Sequence, residues 1–276
     1  MRVMPSVIYQ QSQVAVKYLR DLMEGKIFDN PKDHEVLARF VEYVTSKDDL
    51  IVDFFAGSGS TAEAILDLNK RDGGERRFIL AQLPEPTPEK SAAREAGYDN
   101  IADIGKERIR RVIKKLNEED EGKLQADDEP AQDRGFKVFK LTSSNFETWD
   151  GEAPVASAED ASVLEERLLN AVENVNSDRS REDMLYEVLL RAGWPLTTQV
   201  AILKLADGEV FSAKSEENDT MFVCLEDLVN EELLREMIGQ KPAQVVCLDV
   251  AFHGNDQLKT NTVLEMRDRG IEFRTI

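Results

Sequence analysis

The sequence predicts an α/β protein: a doubly wound sheet of parallel strands, followed by a second and smaller α/β domain. Three observations carry that prediction. Between residues 11 and 116, apolar residues alternate between helical spacing and short unbroken runs. The run LIVDFFAG, residues 50–57, is nearly all apolar and ends in glycine, as in a strand covered on both faces. A strongly acidic stretch, residues 117–134, then divides the chain.

The elements follow in order. Residues 11–24 set Val14, Val16, Leu19, Leu22 and Met23 near helical spacing. Residues 33–46 repeat the pattern with Val36, Leu37, Phe40, Val41 and Val44, and Asp33 is placed to cap the start. The apolar run 50–57 is the first strand, TAEAILDLNK (61–70) a helix, and DGG (72–74) its stop. RRFILAQL (76–83) reads as the next strand. Residues 100–116 form an amphipathic helix with Ile101, Ile104, Ile109, Val112, Ile113 and Leu116 on one side.

The acidic stretch has little to bury and repels itself, which predicts a solvated linker. A second irregular stretch covers 149–160. Residues 135–276 then read as strand GFKVFKL, helices near 160–175 and 181–191, and two strands around the Asp207-Gly208 turn. Strand MFVCLE, helix NEELLREMI, strand AQVVCLDVAF, helix LKTNTVLEMRDR and strand IEFRTI complete it.

Hydrophobic residues make up 41% of the 276, enough for a core, which excludes global disorder. The net charge of −19 would repel nucleic-acid phosphates if it were spread evenly. It is not. Residues 1–116 carry 19 basic and 19 acidic side chains, which leaves 16 basic and 35 acidic for the rest. Composition therefore does not exclude DNA as a partner of the first domain. Cys224 and Cys247 lie in apolar runs and read as buried thiols. No signal pattern or membrane-length apolar run occurs, which points to a soluble, cytoplasmic protein.

The informative motif is IVDFFAGSGSTAEA, residues 51–64: a strand, then Gly57-Ser58-Gly59, then directly a helix. Glycine permits the tight turn and lets a ligand approach the backbone, and the helix presents free amides to it. Asp53, just before the turn, suits a cationic or hydroxyl group. A phosphate-binding loop needs Gly-Lys after the glycines, which is lacking. A dinucleotide fingerprint has Ala62 at its third glycine position, and no acid ends the next strand. A dinucleotide enzyme and a ligand-free tight turn remain as alternatives.

DFFAGSGSTAEAILDLN closely resembles the S-adenosylmethionine motif of amino-methylating DNA methyltransferases. FDNPKDHEVLARFV (28–41) resembles the segment that precedes this motif in the permuted class. RRFILAQLPEPTPE (76–89) and AGYDNIADIGKERIRR (96–111) resemble the strand and helix that follow. The wording is most similar to the modification subunits of type III restriction-modification systems, which methylate adenine N6. GFKVFKLTSSNFETWD (135–150) and VVCLDVAFHGNDQLKTN (245–261) resemble their C-terminal region.

The resemblance implies a Rossmann-like sheet and S-adenosylmethionine as cofactor. Gly57, Ser58 and Gly59 would form the turn under its methionyl part, Asp53 would accept from its amino group, and Phe55 would line the pocket. Phe28, Asn30, Pro31 and Lys32 would close over it. Gln82 stands where many methyltransferases carry an acid for the ribose hydroxyls, and Pro84 and Glu85 would line the adenine end. The DPPY or NPPY-like motif that holds the target amino group is lacking; Asp29-Asn30-Pro31-Lys32 has neither a second proline nor an aromatic. The chain thus looks like the C-terminal half of such an enzyme, inactive alone, with no catalytic residue of its own and no resident metal. DNA would be reached through the missing N-terminal half, with a restriction subunit and a homodimer as further partners. The acidic domain 135–276 reads as an interaction or assembly module, in which His253, Asp249 and Asp256 are turn or cap residues.

Overall fold

In the computed structural model, residues 7–121, 132–146, 179–215 and 219–276 are described, and the chain divides into two units, Met1–Phe136 and Lys137–Ile276. The predicted stretch 149–160 and the predicted helix near 160–175 lie outside the described residues.

The first unit contains α1 (Ser12–Met23), α2 (His34–Val44), β1 (Leu50–Asp53), α3 (Ser60–Asp72), β2 (Arg77–Leu80), the one-turn α4 (Ala92–Glu95) and α5 (Ile101–Asp120). Local chemistry sets the boundaries. Asp33 caps α2 through Oδ1, which accepts from the Glu35 and Val36 amides at 2.9 and 3.1 Å. Asn100 caps α5 by accepting from the Asp103 amide at 3.0 Å. Gly59 and Gly73, both left-handed, bracket α3.

Helix α3 is the centre of this unit. On one flank Ala64, Ile65 and Leu68 pack with Ala38 and Val41 of α2, above Ile51 and Phe78 of the strands. On the other, Ala62 and Leu66 pack with Ile109, Val112 and Leu116 of α5. Ile65 is fully buried, a contribution of about 1.5–3 kcal/mol.

Strands β1 and β2 pair in parallel, with Ile51 beside Phe78 and Asp53 beside Leu80. Among the described residues the sheet of this unit has two strands, and helices cover the face that carries Ile51, Phe78 and Leu80. The opposite face is bare: Val52 is 44% and Ile79 52% exposed. An unbroken apolar run shows that both faces repel water; it does not show that residues of the same chain cover both.

Residues 122–131 of the acidic stretch lie outside the described residues. Helix α5 continues through Asp120, four residues past the predicted boundary. Arg134 then returns to it, with Nη2 at 2.5 Å from Asp120 Oδ2 and Nη1 at 2.8 Å from Asn117 Oδ1. Phe136 packs beside Ile113 and under the Arg110 guanidinium, so the first unit extends beyond residue 116.

The second unit contains α6 (Arg181–Arg191), β3 (Gln199–Leu205), β4 (Gly208–Lys214), β5 (Thr220–Cys224), α7 (Glu231–Gly239), β6 (Gln244–Cys247), α8 (Asp256–Asp268) and β7 (Glu272–Thr275). The strands lie in chain order in one mixed sheet. β3, β4 and β5 are antiparallel; β5, β6 and β7 are parallel, joined by α7 and α8. Cys224 and Cys247 are register partners, free and buried, as the sequence predicts.

Three predictions need correction in this unit. GFKVFKL is extended without joining a ladder: Phe139 meets the Tyr186 ring edge-on and Lys137 Nζ donates to Thr198 O. The run AQVVCLDVAF leaves the sheet after Cys247 and closes as a single 3₁₀ turn, Val250–Phe252. The turn between β3 and β4 has Ala206 and Asp207 at its centre, and Gly208 is already paired with Leu205. Among the described residues no helix is long and apolar enough to cross a membrane.

Candidate functional site

The loop from Phe54 to Gly59 leaves the carboxyl end of β1 and enters α3, the position where open parallel sheets bind ligands. Gly57 and Gly59 have φ of +54° and +78°, which disfavours any side chain with a Cβ. Gly59 also faces Gly105 of α5 so closely that a Cβ on it would stand 3.1 Å from the Gly105 carbonyl oxygen. A Cβ on Gly105 would stand 3.1 Å from Gly57 O. Three glycines thus let loop and helix backbones touch. Gly105, inside an amphipathic helix, has no local sequence signal for this role.

Polar contacts hold the loop from three sides. Asp53 Oδ1 accepts from the Phe55 amide at 3.0 Å, and Oδ2 from the Thr61 hydroxyl at 2.6 Å. Gln82 Oε1 accepts from the Gly57 amide at 2.7 Å, while its Nε2 donates to Leu83 O at 3.1 Å. Beneath the loop, Arg108 of α5 donates to Ser58 Oγ at 2.9 Å, Ser60 Oγ at 2.6 Å and Glu63 Oε2 at 2.6 Å. Tyr18 of α1 donates to the other oxygen of Glu63. Burial, reinforced by the Glu63 charge, raises the Tyr18 hydroxyl well above the ordinary tyrosine range and keeps it a donor. The sequence pattern did not single out Thr61, Glu63, Arg108 or Tyr18; partners 45 residues apart carry no local signal.

The predicted residues fall into two groups. Asp53, Gly57, Ser58, Gly59 and Gln82 meet at the loop, and the Phe28 ring lies beside Gly57. Phe28, Asp29 and Asn30 line an open cleft of about 500 Å³ whose other wall includes Pro86, Thr87 and Ser91. Pro31 is buried, while Lys32, Pro84 and Glu85 are exposed. Phe55, expected in the pocket, is 87% exposed.

The arrangement suits a zwitterionic ligand. Gly59 caps α3 without a side chain, so the amides of the first helical turn face the loop uncapped, which favours an anionic group. The Asp53 carboxylate has two donors and keeps lone pairs for an amino group.

Residues 5–119 match the family described as DNA methylase. The type III restriction-modification enzyme StyLTI Mod subunit of Salmonella typhimurium is 36% identical over 136 residues, 49% of this chain and 20% of that one. The EcoPI Mod subunit of Escherichia phage P1 is 41% identical over 104 residues, 38% of this chain and 16% of that one. The type II methyltransferase M.KpnI of Klebsiella pneumoniae is 36% identical over 98 residues, 36% of this chain and 24% of that one. The matched stretch spans less than a quarter of each of these relatives.

Proposed function

We propose that the loop binds S-adenosylmethionine for methylation of adenine N6 in DNA, a reading supported by the match of residues 5–119 to the DNA methylase family and by the similarity to type III modification subunits. One observation carries this reading: Gly57 and Gly59, both left-handed, follow a strand-end carboxylate and lead straight into an uncapped helix. The cofactor's carboxylate sits at the amides of that helix and its amino group at Asp53. Its adenosine end lies along the cleft walled by Phe28, Asn30 and Pro86. Gln82 shapes the loop through Gly57 and offers its second N–H to the ribose.

The 276 residues carry no DPPY-like motif. In the whole enzyme, the residues that hold the flipped adenine come from outside these 276, as do strands that pair alongside β1 and β2 to complete a doubly wound, Rossmann-like sheet and the elements that cover its bare face. DNA and a restriction subunit are the partners of that whole enzyme, which works in the cytoplasm. The second unit is its interaction domain, joined through the acidic stretch 117–134.

Calorimetry and thermal shift test this reading. S-adenosylhomocysteine should raise the melting temperature and NAD should not. Asp53→Ala and Gly57→Val should abolish the shift. Stabilisation by NAD alone, or unchanged binding in both variants, overturns it. Methyl incorporation into mixed-sequence DNA by this chain alone should be absent.

A further inference from the structure

Glu63 and Asp67 stand four residues apart on α3, which puts both carboxylates on one face of the helix. His34, in the first turn of α2, packs against that face. Its Nε2 lies 3.4 Å from Asp67 Oδ2 and 3.9 Å from Glu63 Oε1. One donor atom from each of the three residues lies within 4.8 Å of the others.

We propose that His34, Glu63 and Asp67 form a binding site for one divalent transition-metal ion, which clamps α2 to α3. Bonds of about 2.0–2.2 Å in a tetrahedral site separate neighbouring ligand atoms by about 3.3–3.6 Å. The observed spacings meet that with small rotations of two carboxylates. One imidazole and two carboxylates suit Zn²⁺, Co²⁺ or Mn²⁺ better than Mg²⁺ or Ca²⁺, which prefer oxygen ligands throughout.

The surroundings are those of a ligand set held in place. The imidazole is tilted against the Tyr18 ring, with centroids 4.4 Å apart, and its side chain is 12% exposed. Arg108 binds the oxygen of Glu63 that faces away from His34, and Tyr18 donates to the one that faces it. These two hydrogen bonds hold the carboxylate in one orientation, as the partners behind metal ligands do. Arg108 offsets the charge of Glu63. Asp67 has His34 as its one ion-pair partner among the described residues.

The test is titration of the 276-residue chain, stripped with chelator, with Zn²⁺ and with Co²⁺, read by calorimetry and by the visible absorption of cobalt. One ion per chain is expected, with Mg²⁺ far weaker. His34→Gln and Asp67→Asn keep shape and volume, so both should fold. Each should weaken binding by more than the about 10–100-fold that loss of an outer partner costs. Absence of saturable binding by either ion, or equal affinity in both variants, overturns the proposal.

Discussion

Arg108 of α5 donates from Nε to Glu63 Oε2 of α3 at 2.6 Å, with both side chains only 1% exposed. The pair lies directly under the glycine loop, because the same guanidinium holds Ser58 and Ser60. A charge this deep is tolerable only while every donor has an acceptor. The geometry of the loop is therefore tied to one ion pair between residues 45 positions apart.

Arg108→Met should cost about 3–5 kcal/mol, because it leaves Glu63 buried without its cation. Adding Glu63→Leu should recover part of that loss, since the orphaned charge goes too. Denaturant unfolding of the two variants checks this; a double variant less stable than the single one would contradict it.

Gly59→Ala should cost about 1–2 kcal/mol from its left-handed backbone alone, and more from the close Gly105 carbonyl. Gly73→Ala is the control: it has the same backbone sign, but nothing lies within 4 Å of an added Cβ. Thermal melts should rank Gly59→Ala below Gly73→Ala, and only the former should lose S-adenosylhomocysteine binding.

The hairpin between β3 and β4 carries strain on an alanine. Ala206 has φ of +45°, whereas a Cβ at Gly208 would stand 2.9 Å from Cδ2 of the buried Leu233, which would have to shift. Ala206→Gly should stabilise by about 1 kcal/mol. Gly208→Ala should destabilise, although it replaces glycine in a strand. Chemical denaturation distinguishes the two signs.

Glu187 gives the second unit an acid limit. Burial pushes its carboxyl up, but the Ser144 hydroxyl, the Asn145 amide, Arg191 and the Asn145 side chain together hold it below its ordinary range. A folded value below the unfolded one, about 4.3, means that the stabilisation is complete above that pH. It is lost as pH falls through the folded value. Glu187→Gln should lower stability at neutral pH and flatten the loss below about pH 4.3. Equal acid slopes for both proteins would contradict this.

Periodicity made most of the fold legible. Helices α1, α2, α3 and α5, and the strand-helix alternation after residue 199, lie where spacing and caps predict. GFKVFKL failed because alternating apolar residues qualify a strand only when a neighbouring edge accepts its hydrogen bonds. The turn at Asp207-Gly208 was placed a residue late because Gly208 already pairs with Leu205, so Ala206 rather than glycine takes the left-handed position of the turn.

The sequence by itself determined the strand-glycine-helix motif and the left-handed glycines it needs, because each is a short-range property of consecutive residues. Tertiary structure decided what holds the loop. It brought Arg108 to Ser58 and Glu63, Gln82 to Gly57, Gly105 to Gly59, and His34 to Asp67. These contacts join elements whose separation along the chain carries no periodic signal, so only the packing of α1, α2 and α5 around α3 selects them. Packing also left one face of β1 and β2 bare, which an all-apolar run conceals.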